Sequence, residues 1–130
     1  MTIISPTPAT ELPSAAVTTA QELAALAARL RSLTITPAER QQVCKLLADA
    51  AEALASTTNG MSADVYEEAS PLSRLTGPDG SMSLPGQLQQ ELEVAGDQSI
   101  GVRDALRTAA TIVEEMEQQA ALAARHEVTA

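Results

Sequence analysis

The sequence predicts an all-α fold, a small helical bundle built from a helical hairpin and a long C-terminal helix, with a disordered N-terminal tail. Three observations carry that reading. Leu, Val and Ala recur at alternating spacings of three and four in three separate stretches, the period of one face of a helix. Cap and stop residues fall between those stretches. The chain holds a single aromatic residue, Tyr66, and neither Phe nor Trp. That excludes a large aromatic core, a base-stacking platform and an aromatic cage, and it favours thin helices that meet through small side chains.

Residues 1–18 form the tail, with Pro6, Pro8 and Pro13 set among Thr, Ser and Ala. The single helical domain then runs over 19–130. Its first helix starts at Thr19, where Thr19 and Glu22 fit a capping box. Leu23, Leu26, Leu30 and Leu33 follow on one stripe, and the helix ends near Leu33. Thr36-Pro37-Ala38-Glu39 opens the second helix, with an N-cap Thr, Pro at the first helical position and Glu at the third. Val43, Leu47, Ala50 and Leu54 then mark its apolar face, and Asn59-Gly60 supplies a left-handed stop. The short link between these helices predicts an antiparallel hairpin over about 19–56.

Residues 57–86 read as an irregular, acidic segment. It holds a short helix over 62–68, one further turn over 70–75, a turn at Thr76–Gly80 and an extended stretch before Pro85. Pro85 opens another helix that carries Leu88, Leu92 and Ala95 and stops at Gly96. The longest periodic stretch follows. Val102, Leu106, Ala109, Val113 and Met116, then Ala120 and Ala123, form a seven-residue repeat of the coiled-coil kind. Its helix would run to ~39 Å at ~1.5 Å per residue.

Charge is uneven along the chain. The formal net charge is −9, yet residues 21–50 carry four bases against three acids. Residues 51–100 carry eight acids against Arg74 alone. Asp64, Glu67, Glu68, Asp79, Glu91 and Glu93 therefore make an acidic patch that repels nucleic acid and anionic membranes and attracts a basic partner. One Cys and one His exclude an internal disulfide and a Cys/His zinc site within one chain. Cys44 reads as a buried structural thiol, and His126 as a cation at the end of the last helix. No apolar run reaches ~18 residues, and the N-terminus lacks the basic start and apolar run of a cleaved signal. A cytoplasmic location is the expectation, with an uncleaved export signal in the Ser/Thr/Pro tail as a third reading.

One stretch, Leu84 to Arg107, resembles a helix-turn-helix. LQQELEVA is followed by Gly96-Asp97-Gln98-Ser99 and then IGVRDALR, with Gly96 opening the turn and Val102 packing the second helix. The run is also similar to the start of winged-helix repressors of the GntR type. The resemblance implies a DNA-binding regulator or antitoxin-like repressor in which Gln98, Ser99, Arg103 and Arg107 face phosphates or base edges. The neighbouring Glu91, Glu93, Asp97 and Asp104 would oppose phosphate.

No nucleophile stands at a recognisable spacing from a base, and neither GxxxxGK[ST] nor GxGxxG occurs. The preferred reading is a non-enzymatic interaction protein without cofactor or metal. It is expected to form a homodimer or higher homo-oligomer through Ala/Leu seams at Leu23, Leu26, Leu30 and Leu33 and at Val102, Leu106, Ala109, Val113 and Met116. Its partner would be a protein that is basic or carries an apolar helix groove.

Overall fold

A computed structural model describes residues 14–69 and 80–129. The fold is all-α: α1 (Ala15–Ser32), a 3-10 turn (Pro37–Glu39), α2 (Arg40–Glu68) and α3 (Leu84–Thr129). The chain divides into two compact units, Met1–Ile35 and Thr36–Ala130. The hairpin expected over 19–56 spans the boundary between them.

In the first unit, α1 begins four residues before the predicted Thr19. Ser14 Oγ accepts from the Val17 N–H at 3.1 Å, so Ser14 is the N-cap. Ala15 and Ala16 are strong helix formers and extend the helix back to it. The predicted tail is therefore helical over 15–18, and residues 1–13 lie outside those described. At the other end Leu33 N–H donates to Leu30 O at 3.1 Å, close to the predicted end.

In the second unit, Glu39 Oε1 accepts from the Thr36 N–H at 3.0 Å and from its hydroxyl at 2.8 Å. The expected start signal is therefore in use. α2 does not stop at Asn59-Gly60, however. It continues through the predicted short helix to Glu68. The hydroxyls that suggested a break turn back on their own helix: Thr57 Oγ1 donates to Ala53 O at 2.9 Å, and Thr58 Oγ1 to Leu54 O at 3.0 Å. The predicted irregular segment thus shrinks from both sides. Gly80, with φ +86°, closes the predicted turn, whose residues 76–79 lie outside those described. So does the predicted turn of helix over 70–75.

α3 opens at Leu84, one residue before Pro85. The buried Ser83 caps it, with Oγ accepting from the Gly86 N–H at 3.1 Å. Pro85 then falls in the first turn, where its missing N–H costs nothing. The helix runs 46 residues without a break, or ~69 Å at ~1.5 Å per residue. The predicted stop at Gly96 is absent: residues 96–99 are helical, and Ser99 Oγ donates to Ala95 O at 2.8 Å.

α2 and α3 pack side by side and antiparallel. Gln41 meets Glu114, Glu52 meets Arg103, and Ser62 meets Gln89. Residue numbers rise along α2 as they fall along α3. Inward residues of α2 recur at alternating three and four: Gln41, Cys44, Ala48, Ala51, Ala55, Thr58, Ser62 and Val65, each buried or half-buried. On α3 the matching series is Gln89, Leu92, Gly96, Ser99, Arg103, Leu106, Ala110 and Val113. This is a coiled-coil seam built mostly from small residues. Buried apolar residues among those described are Ala48, Ala51, Ala55 and Ala110.

The α2 seam lies one residue on from the predicted stripe of Val43, Leu47, Ala50 and Leu54. Small side chains let two backbones approach to the close end of the usual ~8–10 Å range. Gly96 marks a close crossing. A Cβ there would collide with the Asn59 amide oxygen and lie 3.1 Å from Thr58 Oγ1.

Candidate functional site

The heptad pattern assigns the positions that flank the seam to one of two sides. In an antiparallel pair, residues that follow the second seam position of each repeat meet across the pair on one side. Residues that precede the first seam position meet on the other. The two sides differ sharply in chemistry.

The first side is polar. Arg103 Nη1 donates to Glu52 Oε1 at 3.0 Å, and Arg107 Nη2 to Glu52 Oε2 at 3.4 Å. Arg107 also stands 3.8 Å from Asp49. Gln41 Nε2 donates to Glu114 Oε2 at 3.3 Å. The hydrogen bond to Asp104, with help from Glu52, holds the Arg103 guanidinium above its ordinary pKa. The two arginines assigned to nucleic acid by the helix-turn-helix resemblance are therefore bound to carboxylates. The turn that motif needs at Gly96 is a continuous helix, so its geometry is not formed. Gln98 is exposed, and Ser99 is spent on its own backbone.

Toward the turn end of the same side, Asn59, Ser62, Tyr66, Glu67, Gln89 and Glu93 line an open groove of about 420 Å³. Glu67 and Glu93 lie across it from one another on α2 and α3. Asp64, Glu68 and Glu91 stand at the same end of the hairpin but toward its other side, so of the predicted patch one groove brings together Glu67 and Glu93. Asp79 lies outside the described residues. The arrangement favours a cation, and apart from Arg74 the sequence holds no Lys or Arg between residues 46 and 102.

The second side is apolar. α2 contributes Val43, Leu47, Leu54 and Met61, and α3 contributes Leu88, Val102, Ile112 and Met116, with Ala95 and Ala109 between them. Glu68 and Leu88 share a groove with Val65 and Pro85, which places the two stripes on a common face. Leu54 is 42% exposed, Met61 49%, Leu88 50%, Val102 52% and Met116 55%. The α2 stripe carries no charge between Arg40 and Asp64, and the α3 stripe none between Glu91 and Met116. For the 29 residues of α2, a face ~43 Å long and ~18 Å wide gives roughly 750 Å². That matches the ~800 Å² that each partner gives to a standard interface.

Of the predicted α3 seam, Leu106, Ala109 and Val113 are half-buried, and Val102 and Met116 are exposed. On α1, Leu23, Leu26 and Leu33 are exposed and Leu30 is half-buried. No residue of α1 is buried. Cys44 is half-buried on the α2 seam itself, and His126 stands in the last turn of α3. The large-residue stripes stand out in the sequence, where residue size argues for a core position. Met61 belongs to the α2 stripe and is missed by that argument. Its position seven residues after Leu54 was the available signal.

Among the described residues no group of three His, Cys, Asp or Glu side chains is placed to hold a metal ion. No described helix is long and apolar enough to cross a membrane. Comparison of the chain with family models, with curated proteins and with solved structures found no match.

Proposed function

We propose that this chain is a non-enzymatic helical interaction protein that self-associates through the apolar face of the α2–α3 hairpin. One observation carries the reading. Leu54, Met61, Leu88, Val102 and Met116 are about half-exposed on one face that is uncharged between its ends, while the buried apolar residues between the helices are alanines. Finishing the burial of a half-exposed Leu, Val or Met contributes about 1 kcal/mol, half of the ~1.5–3 kcal/mol for a whole side chain. Five such residues on each of two copies supply roughly 10 kcal/mol, the same order as the ~4–15 kcal/mol cost of association. A reversible assembly that depends on concentration follows from that balance. Glu67 and Glu93, in the groove on the polar side, stay outside such an interface and steer a basic partner by charge.

Sedimentation over about 1–100 μM tests the reading, because dissociation constants in that range correspond to ~8 kcal/mol or less. The mass should rise with concentration. Leu54→Glu and Val102→Glu should each hold the chain at the monomer mass with helicity retained. A wild-type chain that stays at 13.5 kDa throughout overturns self-association.

A further inference from the structure

The two rows of the apolar face that flank the seam are each their own complement when turned end for end. On α2 the stripe reads Arg40, Leu47, Leu54, Met61, Glu68 at intervals of seven. Reversed against itself about Leu54, it pairs Arg40 with Glu68, Leu47 with Met61, and Leu54 with its own copy. On α3 the stripe reads Leu88, Ala95, Val102, Ala109, Met116. Reversed about Val102, it pairs Leu88 with Met116, Ala95 with Ala109, and Val102 with its own copy. Along these rows large residues meet large ones, and on α3 small meet small.

The two centres also lie at one level of the hairpin. Glu52 bonds Arg103, and Gly96 abuts Asn59, so position 54 stands opposite positions 101–102. A single two-fold axis therefore satisfies both stripes at once. We propose that two copies dock face to face and antiparallel, α2 on α2 and α3 on α3, with Arg40 of each copy beside Glu68 of the other. This rests on the self-association reading and names its geometry.

The competing two-fold runs parallel to the helices and lays α2 on α3. It sets Arg40 over Met116 and Glu68 over Leu88, which pairs neither charge. It also brings both turn ends together, with Asp64, Glu67, Glu68, Glu91 and Glu93 doubled. An isologous interface needs a self-complementary patch, and the antiparallel axis is the one that makes this patch so. The match in extent between the face and a standard interface, together with this charge pairing, is what selects a second copy as the occupant.

The test mixes two charge variants of the full chain. Arg40→Glu places like charges at both ends of its own antiparallel dimer, and Glu68→Arg does the same with the opposite sign. Mixed together, the two variants restore both pairs. Each alone should dissociate roughly tenfold more readily than wild type, and the mixture should recover to within a few-fold. Lys45→Glu mixed with Glu67→Arg carries the same charge changes outside the face and should show no preference for the mixed dimer.

Disulfide trapping reads the axis directly. In a Cys44→Ala background, Leu54→Cys and Val102→Cys should each cross-link to their own copy. A dimer with no preference for the mixed species, or one in which Leu54→Cys pairs with Val102→Cys and not with itself, overturns the antiparallel axis and leaves self-association standing. A chain that is monomeric in sedimentation overturns both.

Discussion

Gly60→Ala separates two accounts of α2 by the sign of its effect. The sequence around Ser56–Gly60 reads as a helix stop, with Asn59 or Gly60 in the left-handed conformation. Were it Gly60, Ala there would cost about 1–2 kcal/mol, because its Cβ crowds the following carbonyl. The structure instead places Gly60 inside an unbroken helix, where a Cβ would have nothing within 4 Å. Glycine in a helix interior is about 0.8–1.0 kcal/mol worse than Ala, so Gly60→Ala should stabilise by nearly that amount. For a unit of this size the gain raises Tm by about 4–8 °C. Gly101→Ala, also in open space, should do the same. Gly96→Ala should not. Its Cβ meets the Asn59 amide, which is exposed and can swing aside. It also meets Thr58 Oγ1, which cannot retreat without giving up its bonds to Leu54 O and Ala55 O. Thermal melts followed by circular dichroism at 222 nm decide the matter, at one fixed protein concentration because assembly shifts Tm. A lower Tm for Gly60→Ala refutes the continuous helix. A gain at Gly96 equal to that at Gly60 refutes the close crossing.

Two further outcomes follow from the same contacts. The Thr36 backbone N–H, with a smaller contribution from the Thr36 hydroxyl, holds the Glu39 carboxyl below its ordinary value of 4.5. A carboxylate depressed in the folded state stabilises fully above its unfolded pKa and loses that contribution as pH falls through the folded one. Melts of wild type and Glu39→Gln should therefore differ at neutral pH and converge as pH falls below the ordinary value of 4.5 and through the lowered folded-state one. A difference that grows on acidification refutes the capping box. On the polar side, Glu52→Gln should loosen Arg103 and Arg107 together and lower Tm slightly, with the loss shrinking in high salt because both arginines reach solvent. A salt-independent loss would point to packing rather than charge.

Much of the fold was legible because helix periodicity and caps are local. The start at Thr36–Glu39, the end of α1 and the helical character of every stripe come directly from residue spacing. Two kinds of information were not local. Thr57, Thr58, Gly60, Gly96 and Ser99 carry the chemistry of breaks, and only the neighbouring helix reveals that several of them serve a close contact instead. The choice of seam was equally hidden. Val43, Leu47, Ala50 and Leu54 have the same period as Cys44, Ala48, Ala51 and Ala55, one residue apart. The rule that large apolar residues face inward selects the first set. The pair of helices selects the second, because alanine and glycine admit the closer approach. The resemblance to a helix-turn-helix failed on the same residue, since Gly96 permits a crossing where that motif uses a turn.

This division of roles makes adjacent residues separable. Leu54 belongs to the exposed face, and Ala55, 1% exposed, to the seam. Leu54→Glu should dissolve the assembly and leave the hairpin folded, because its side chain already reaches water. Ala55→Leu should do the reverse in origin. Three extra carbons in a seam this tight force α2 and α3 apart, and overpacking of that kind costs about 1–3 kcal/mol. The hairpin melts earlier, and assembly weakens only as far as the face loses its rigid frame. If the two variants behaved alike, the seam and the face would be one surface, and the small-residue core would have to be rejected. If they part as described, the near absence of aromatics has a structural reason. A seam centred on alanine and glycine has no room for a ring, and Leu54, Met61, Leu88, Val102 and Met116 are left on the outer face, where a second molecule can cover them.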